Sequence, residues 1–407
     1  MKVLMVNKFL YPRGGSETYM LKLGAYMHER NHSVQYFGME SENRTVGNDV
    51  NLYVSNVDFH QKPGLKMLTY PLKVIYSAEA RKKMRAVLED FSPDVVHLGI
   101  FNYQLTPSIL LAINAWRKQT GKSCKVVYTS HDYQLVCPNH MMKSPKTEAN
   151  CEKCIGGHFF HCFKDKCIHS STSKSIIGAA EAYFWNTARI YKSIDTMICC
   201  SAFMKQKMDL NPLFSSKTIT LHNFIDKPMH KGTAKKDYVL YFGRYTQEKG
   251  IETLVRVCKS LPHIRFVFAG AGPLKEMLTN QTNIEDIGFQ DGEALEKWIR
   301  EARFSVYPSE WYENCPLSIM ESMAYGTPVV GARIGGIPEL IDDGINGDLF
   351  IPGNSDDLRQ RIDILWSDSE RLATYSIRCA NNRFDTIDVY YDKLIKIYNQ
   401  NMAEGHA

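Results

Sequence analysis

Short apolar runs alternate with longer amphipathic stretches along nearly the whole chain. Lys2–Phe9, Val34–Phe37, Val95–Leu98 and Val126–Thr129 are too short for helices and read as buried strands. Stretches of helical period lie between them, from Thr18 to about Arg30 and over Thr106–Lys118. A helix at Ser175–Lys192 and strands at Thr196–Cys200 and Thr218–Leu221 follow. The alternation then resumes with strands at Tyr238–Phe242 and Phe266–Ala269, and helices dominate from Asp356 onward. Strands that alternate with helices predict an α/β protein with parallel, doubly wound, Rossmann-like sheets.

The polar stretch Lys227–Lys236 reads as a linker and predicts two domains, 1–226 and 237–384, followed by a terminal segment 385–407 whose helix covers about Asp385–Asn399. A length of 407 residues allows two well-buried cores, and 44% hydrophobic with 23% charged residues fits a globular protein rather than a disordered one. No apolar run approaches the roughly 20 residues that span a bilayer. Met1–Tyr11 leads into Pro-Arg-Gly-Gly rather than a cleavage site, so a cytoplasmic protein is expected. Eleven cysteines, an odd number, suit a reducing compartment better than a disulfide framework.

The net charge of +5 conceals an asymmetry: residues 1–225 hold 28 Lys and Arg against 17 Asp and Glu, and residues 226–407 hold 21 against 27. Much of the basic excess sits between Gln61 and Leu88, where Lys62, Lys66, Lys73, Arg81, Lys82, Lys83 and Arg85 face a single acid, Glu79. Leu65, Met67, Leu68, Leu72, Val74 and Ile75 are interleaved. Such a stretch can lie on an anionic membrane, or it can be a solvated helix face. Nucleic acid is a weaker alternative.

Candidate chemistry is densest between Ser309 and Leu340. Glu313 and Glu321 straddle the start of a helix, with Pro316 expected at its first position and Gly326 just past its end. Leu317, Met320 and Ala324 form the expected core stripe, and Glu321 falls inside it. Glu321 then either pairs with an arginine or solvent, or it serves a ligand. Asn314, Cys315 and Leu317 offer backbone N–H groups at the positive end of a helix dipole, a ready anion site. A carboxylate on either side of a bound diphosphate would suit a nucleotide-diphosphosugar.

Other candidates follow strands. Gly14 and Gly15 lie in a loop after the first strand, with Ser16 as expected N-cap, although most Gly-Gly pairs are only turns. His131 directly follows a strand, where ligands bind in open α/β sheets, but a lone histidine is more often structural. Gly243, Arg244 and Lys249 lead into a helix and read as a phosphate clamp or as surface charge. Gly272 and Phe289 follow later strands. Cys151, Cys154, Cys162 and Cys167 have metal-ligand spacing for a structural zinc ion, with free thiols, a redox disulfide or an iron–sulfur cluster as alternatives.

The Glu313-x7-Glu321 pair, followed by Gly326-Thr327-Pro328-Val329 and Gly335-Gly336-Ile337-Pro338-Glu339, resembles the donor-site signature of the retaining glycosyltransferases of family 4. The resemblance extends over nearly the whole chain. It implies the GT-B architecture, two Rossmann-like domains facing a cleft, an acceptor-binding first domain, and a last helix that crosses back onto that domain. It assigns Arg244 and Lys249 to the donor diphosphate, Gly14, Gly15, Gly243, Gly272, Asn314, Cys315, Pro316 and Leu317 to donor binding, and Glu321 to the ribose. Glu313 and His131 are assigned to the sugar, and the Gly288-Phe289 backbone to the base. The Cys-rich insertion at about 137–170 departs from the smallest members.

The implied reaction moves a sugar from a UDP- or GDP-sugar to a hydroxyl of a glycan or lipid-linked acceptor in cell-surface polysaccharide synthesis. No cofactor is expected to be essential, since there is no Asp-x-Asp pair and two cations stand where a metal ion would act. Many members use lipid-linked acceptors, which brings the basic first domain to the inner face of the membrane. A nucleotide-sugar epimerase of the same fold and a non-catalytic zinc-bearing scaffold that binds nucleotide sugar are the alternatives.

Overall fold

The computed structural model describes residues 1–56, 70–225, 234–381 and 384–400. They form two compact units, one of Met1–His222 together with the chain from Ile387, the other of Asn223–Thr386.

In the first unit six parallel strands are β1 (Lys2–Val6), β2 (Ser33–Phe37), β3 (Val95–Leu98), β4 (Lys125–Ser130), β5 (Thr196–Cys199) and β6 (Thr218–Thr220), in the order β2-β1-β3-β4-β5-β6. Val3, Leu4, Met5 and Val6 are fully buried, because a parallel strand covered by helices on both faces has no solvent side. The second unit repeats the plan with β7 (Lys236–Arg244), β8 (Phe266–Ala271), β9 (Ile284–Asp286), β10 (Ala302–Tyr307), β11 (Val329–Ala332) and β12 (Gly347–Phe350). Their order is β12-β11-β10-β7-β8-β9, again parallel throughout. Strand order reverses between β1 and β3 in one sheet and between β7 and β10 in the other. Chains diverge to opposite sides at such points and leave a crevice at the strand ends.

The C-terminal helix Ile387–Asn399 packs in the first unit on the helix Gly15–Glu29. Tyr390 Oη meets Tyr19 Oη at 2.6 Å, and Tyr398 Oη meets His97 Nδ1 at 2.5 Å. Lys125 Nζ donates to the carbonyls of Ile397 and Gln400 at 2.6 and 2.7 Å, so a cation holds the negative end of that helix.

Several local expectations are corrected. Ser16 lies inside its helix, with extended Gly14 as N-cap, and its hydroxyl bonds Glu17 Oε2 at 3.0 Å. Pro316 is extended at ψ 117°, so it caps the helix Leu317–Ala324 from outside rather than forming its first residue. The buried stripe of that helix runs through Ile319, Met320, Met323 and Ala324, which turns Leu317 and Glu321 to the half-exposed side. Gly326, at φ +69°, closes the helix: its N–H bonds Met323 O and that of Thr327 bonds Ser322 O, the paired bonds of a Schellman end.

Within the basic stretch, Lys62, Leu65, Lys66, Met67 and Leu68 lie outside the described residues, as do residues 227–233 of the expected linker. On the helix Ala78–Phe91 the apolar residues Met84, Val87, Leu88 and Phe91 face the core. Arg81 and Lys82 face solvent, and Lys83 and Arg85 pair along the helix with Glu79 and Glu89.

Candidate functional site

In the second unit the crevice between β7 and β10 holds most of the expected residues. β10 ends at Tyr307, and the chain turns through Pro308 to reach Ser309, Trp311 and Glu313 before the helix Leu317–Ala324 begins. β7 ends at Arg244, and a short turn at Gln247–Lys249 leads into the helix Ile251–Ser260. Two glycines, one in the loop after β7 and one in the loop after β11, hold the turn after β10 in place. A Cβ on Gly250, at φ +71°, would lie 1.9 Å from Pro308 O, and one on Gly335, at φ +59°, would lie 2.2 Å from Glu313 O. Only glycine permits both the left-handed backbone and that approach. The N–H of Gly336 then bonds Glu313 O at 2.8 Å, so the Gly335-Gly336 turn cradles the backbone of Glu313.

Glu313 is buried at 6% exposure. Its Oε1 accepts from Lys249 Nζ at 2.5 Å, Trp311 Nε1 at 2.6 Å, Ser309 Oγ at 2.8 Å and Tyr307 Oη at 3.2 Å. No described residue donates to Oε2. Burial alone would raise the carboxyl, but the charge of Lys249 and these bonds outweigh it and hold Glu313 below the ordinary carboxylate range. Burial would likewise lower Lys249, yet Glu313 raises it above its ordinary value. The pair is therefore ionic. Lys249 Nζ also donates to Tyr307 Oη at 2.9 Å and sits 5.3 and 5.5 Å from the rings of Tyr307 and Trp311.

Arg244 is exposed at the end of β7 and has no carboxylate partner among the described residues. Cys315 and Pro316 are buried at the helix start, Asn314 is half-buried, and Asn223 Nδ2 fixes the Cys315 carbonyl at 2.9 Å. Glu321 stands half-exposed one turn along from Leu317. Gly272 follows β8 and packs on the backbone of Tyr245, where a Cβ would lie 2.4 Å from its carbonyl oxygen. Gly243 is exposed beside Arg244, and Phe289 is 73% exposed beyond β9.

Gly14, Gly15 and His131 belong to the first unit. Both glycines are exposed beyond β1. His131 follows β4, with the Tyr19 ring centred 4.7 Å away and Cys200 Sγ at 3.7 Å from Nδ1. Burial lowers it to about 4, so the imidazole is neutral. Near it lies a charged group that the sequence did not single out: Lys8, Arg13, Glu17 and Asp132. Lys8 is lowered to about 8 by burial and by Arg13, against the pull of Asp132 and Glu17. Asn7 Nδ2 donates to Glu17 Oε1 at 3.4 Å and Asn7 Oδ1 accepts from the Ile100 N–H at 2.8 Å, which joins the two sides of this switch point. The signal for these residues was present, since Lys8 lies at the end of a predicted strand and Asp132 is the neighbour of His131. Tyr307, Ser309 and Trp311 were also missed, although Ser309 and Trp311 lie in the same stretch as Glu313 and Tyr307 just before it.

Cys151, Cys154, Cys162 and Cys167 are all free thiols. Among the described residues no three His, Cys, Asp or Glu side chains stand as a ready-made coordination group, so the expected zinc site is not preassembled.

Two parallel, doubly wound sheets with polar residues at each switch point define the class, an α/β protein of the GT-B type. Solved structures share this fold over nearly the full length: HepE from Anabaena in complex with UDP, at TM-score 0.68 and 17% identity, covers 98% of this chain and 100% of its own. A sucrose-phosphate synthase from Thermosynechococcus elongatus gives TM-score 0.69 at 15% identity, with 99% of both chains covered. Residues 13–227 match the model of Glycosyltransferase Family 4, and residues 225–380 match that of Glycosyl transferases group 1. The chain belongs to glycosyltransferase family 4. Among curated relatives, an uncharacterized 42.6 kDa protein in the cps region of Klebsiella pneumoniae is 24% identical over 360 residues, 84% of this chain and 87% of that protein. The putative colanic acid biosynthesis glycosyltransferase WcaL of Escherichia coli is 27% identical over 160 residues, 35% of this chain and 39% of its own length.

Proposed function

We propose that this glycosyltransferase moves a hexosyl unit from a nucleotide-diphosphosugar, a UDP- or GDP-sugar, to a hydroxyl of a growing cell-surface polysaccharide or its lipid-linked carrier, with retention of anomeric configuration. The observation that carries the reading is the buried Lys249–Glu313 ion pair beside the start of the helix Leu317–Ala324. Departure of a nucleoside diphosphate builds negative charge on its distal phosphate. Lys249 has one N–H left after its bonds to Glu313 and Tyr307, Arg244 is exposed nearby in sequence, and the helix start adds a positive dipole end. Fixed positive groups at the point of developing charge are usually the largest catalytic contribution.

Glu313 then has two tasks, one for each oxygen. Oε1 keeps Lys249 charged and aimed, and Oε2 is left to accept from a sugar hydroxyl. Glu321 is proposed for the ribose, Asn314, Cys315, Pro316 and Leu317 for the diphosphate, and Gly243, Gly272 and the Gly288-Phe289 backbone for the nucleoside. In the first unit the neutral His131 is the proposed sugar contact, and the Gly14-Gly15 loop a further proposed donor contact. HepE is described in complex with UDP and with UDP-glucose, and relatives are named for a cps region and for amylovoran and colanic acid biosynthesis, which supports the donor class and the polysaccharide setting.

Attachment to an anionic membrane is part of the proposal. The helices Tyr70–Ile75 and Phe160–Lys164 both pack on the helix Thr172–Thr187. They leave Leu72, Phe160, Phe163, Ile176 and Phe184 between 45% and 69% exposed, with Lys73, Lys164 and Lys174 among them. Apolar side chains interspersed with lysines fit a headgroup boundary. Among the described residues no helix is long and apolar enough to cross a membrane.

Incubation with a panel of sugar nucleotides and lipid-linked acceptors tests the function, with nucleotide release and the anomeric configuration of the product as readouts. Acceptor-dependent release with a retained linkage is expected. Epimerised donor without transfer would establish the epimerase, and binding without turnover the scaffold.

A further inference from the structure

Five of the eleven cysteines meet at one place in the first unit. Cys137 comes from the loop after β4, Cys151 and Cys154 from a turn, Cys162 from the short helix Phe160–Lys164, and Cys167 from the turn beyond it. Together with Asn139, Lys143, His161 and Asp165 they line a cavity of about 10 Å³. That is space for about one water-sized body, too small for an iron–sulfur cluster or an organic group.

The segment around this cavity packs Cys154, Phe159 and Cys162 against Ala179 and Ala182 of the helix Thr172–Thr187, but it has little regular structure. Between β4 and the helix Thr172–Thr187 the regular structure amounts to Ile155–Gly157 and Phe160–Lys164. His140, Met142, Glu148, Lys166, His169 and Ser170 all adopt left-handed backbone, which persists only where the surroundings enforce it. Small units without an adequate core need a cross-link or a metal ion. The Cys137 thiol donates to Asn139 Oδ1 at 3.0 Å. Lys143, His161 and Asp165 stand at the same wall.

We propose that this five-thiol cavity binds one zinc ion through four thiolates drawn from Cys137, Cys151, Cys154, Cys162 and Cys167, and that the ion folds the insertion onto the loop after β4. Binding releases the thiol protons and sets four sulfurs at roughly 2.3 Å from the ion. Cys137 is the addition to the sequence motif. It lies six residues after His131, so the ion would tether the segment that carries that residue.

Elemental analysis of the full chain, purified without added metal and without a metal-affinity step, is the test. About one zinc per chain that survives gel filtration in mild chelator is expected. Replacement by cobalt(II) should give intense thiolate-to-cobalt charge-transfer absorption and weak tetrahedral d–d bands. Single Cys→Ser variants of the five should lose most of the zinc in the ligating positions, and the wild-type measurements stand even where a variant fails to fold. Removal of zinc should raise amide exchange in residues 131–170 before the rest of the unit. A chain free of zinc with all five thiols open to a thiol reagent overturns the proposal. So does a Cys162–Cys167 disulfide in protein prepared under reducing conditions, and so does zinc that a chelator removes with no change in amide exchange, an adventitious ion only.

Discussion

Lys249 Nζ lies 2.5 Å from Glu313 Oε1, and this bond joins the loop that leaves β7 to the loop that leaves β10 across the switch point of the second sheet. Side-chain exposures of 13% and 8% make it a desolvated pair, held by Trp311, Ser309 and Tyr307 on the carboxylate side.

Removal of one member of a buried pair leaves the other uncompensated, which typically costs about 3–5 kcal/mol. Lys249→Met and Glu313→Leu should each lower the urea midpoint substantially, and the double variant should recover much of the loss. Turnover should fall about 10²-fold or more in Lys249→Met, the usual effect of losing one donor to a developing anion. Strictly additive losses in the double-mutant cycle would rule out the coupling. The sign for pH follows from the shifts. Glu313 is held below 4.5, so its contribution is present above that value and lost as pH falls through its folded value. Lys249 is held above 10.5, so its contribution is present below that value and lost as pH rises beyond it.

Glu321 is half-exposed on a face that the core does not use, so its replacement should leave the fold intact. Glu321→Ala is expected to weaken binding of the free nucleoside diphosphate by about 10- to 100-fold, the worth of hydrogen bonds to a charged group. Calorimetry with UDP and GDP measures it. Equal affinity in wild type and variant would remove Glu321 from the ribose.

Gly335→Ala places a methyl group where Glu313 O stands 2.2 Å away, on backbone at φ +59°. The strain of about 1–3 kcal/mol should appear as a lower melting temperature. The displaced Glu313 should also lower kcat beyond what partial unfolding explains. A stable variant with unchanged kcat would show that the turn does not position Glu313.

His97 is fully buried, with Nε2 2.7 Å from Thr129 Oγ1 and Nδ1 bonded to Tyr398, and burial lowers it from 6.5 to about 3. The unfolded chain takes up a proton below 6.5 and the folded chain does not until far lower. The stability from neutral His97 is therefore complete above 6.5 and declines as pH falls toward 3, by up to about 1.4 kcal/mol per unit. His131, lowered to about 4, adds in the same direction. Urea unfolding across this range should steepen in wild type and flatten in His97→Gln; identical slopes would contradict the assignment.

Vesicle binding tests the membrane surface. Co-sedimentation with anionic vesicles should be strong at low salt and weak at high salt, since exposed charges are screened over about 8 Å at physiological ionic strength. Leu72→Ser with Phe163→Ser should reduce it at both. Equal binding to anionic and neutral vesicles at low salt would assign the exposed lysines another purpose.

Strand and helix periodicity was legible because it depends only on neighbours along the chain. Runs such as Val95–Leu98 are strands in the structure with the same bounds, since four buried β-rich residues between polar turns admit little else. The Gly335-Gly336 turn and the Glu313–Glu321 spacing were legible for the same local reason. What the sequence left open was the partner of each charge. Lys249 and Glu313 are far apart along the chain and meet only because β7 and β10 are neighbours in the sheet, a matter of strand order. Exposure was equally open: Leu317 reads as a core position by spacing, but the helix buries Ile319, Met320, Met323 and Ala324 and leaves Leu317 and Glu321 half-exposed. Cys137 joined four cysteines of recognisable spacing through a loop closure that no local pattern records. Local propensity is a property of neighbouring residues, whereas the chemistry of a site depends on which distant residues share low-dielectric surroundings, and only the tertiary structure decides that.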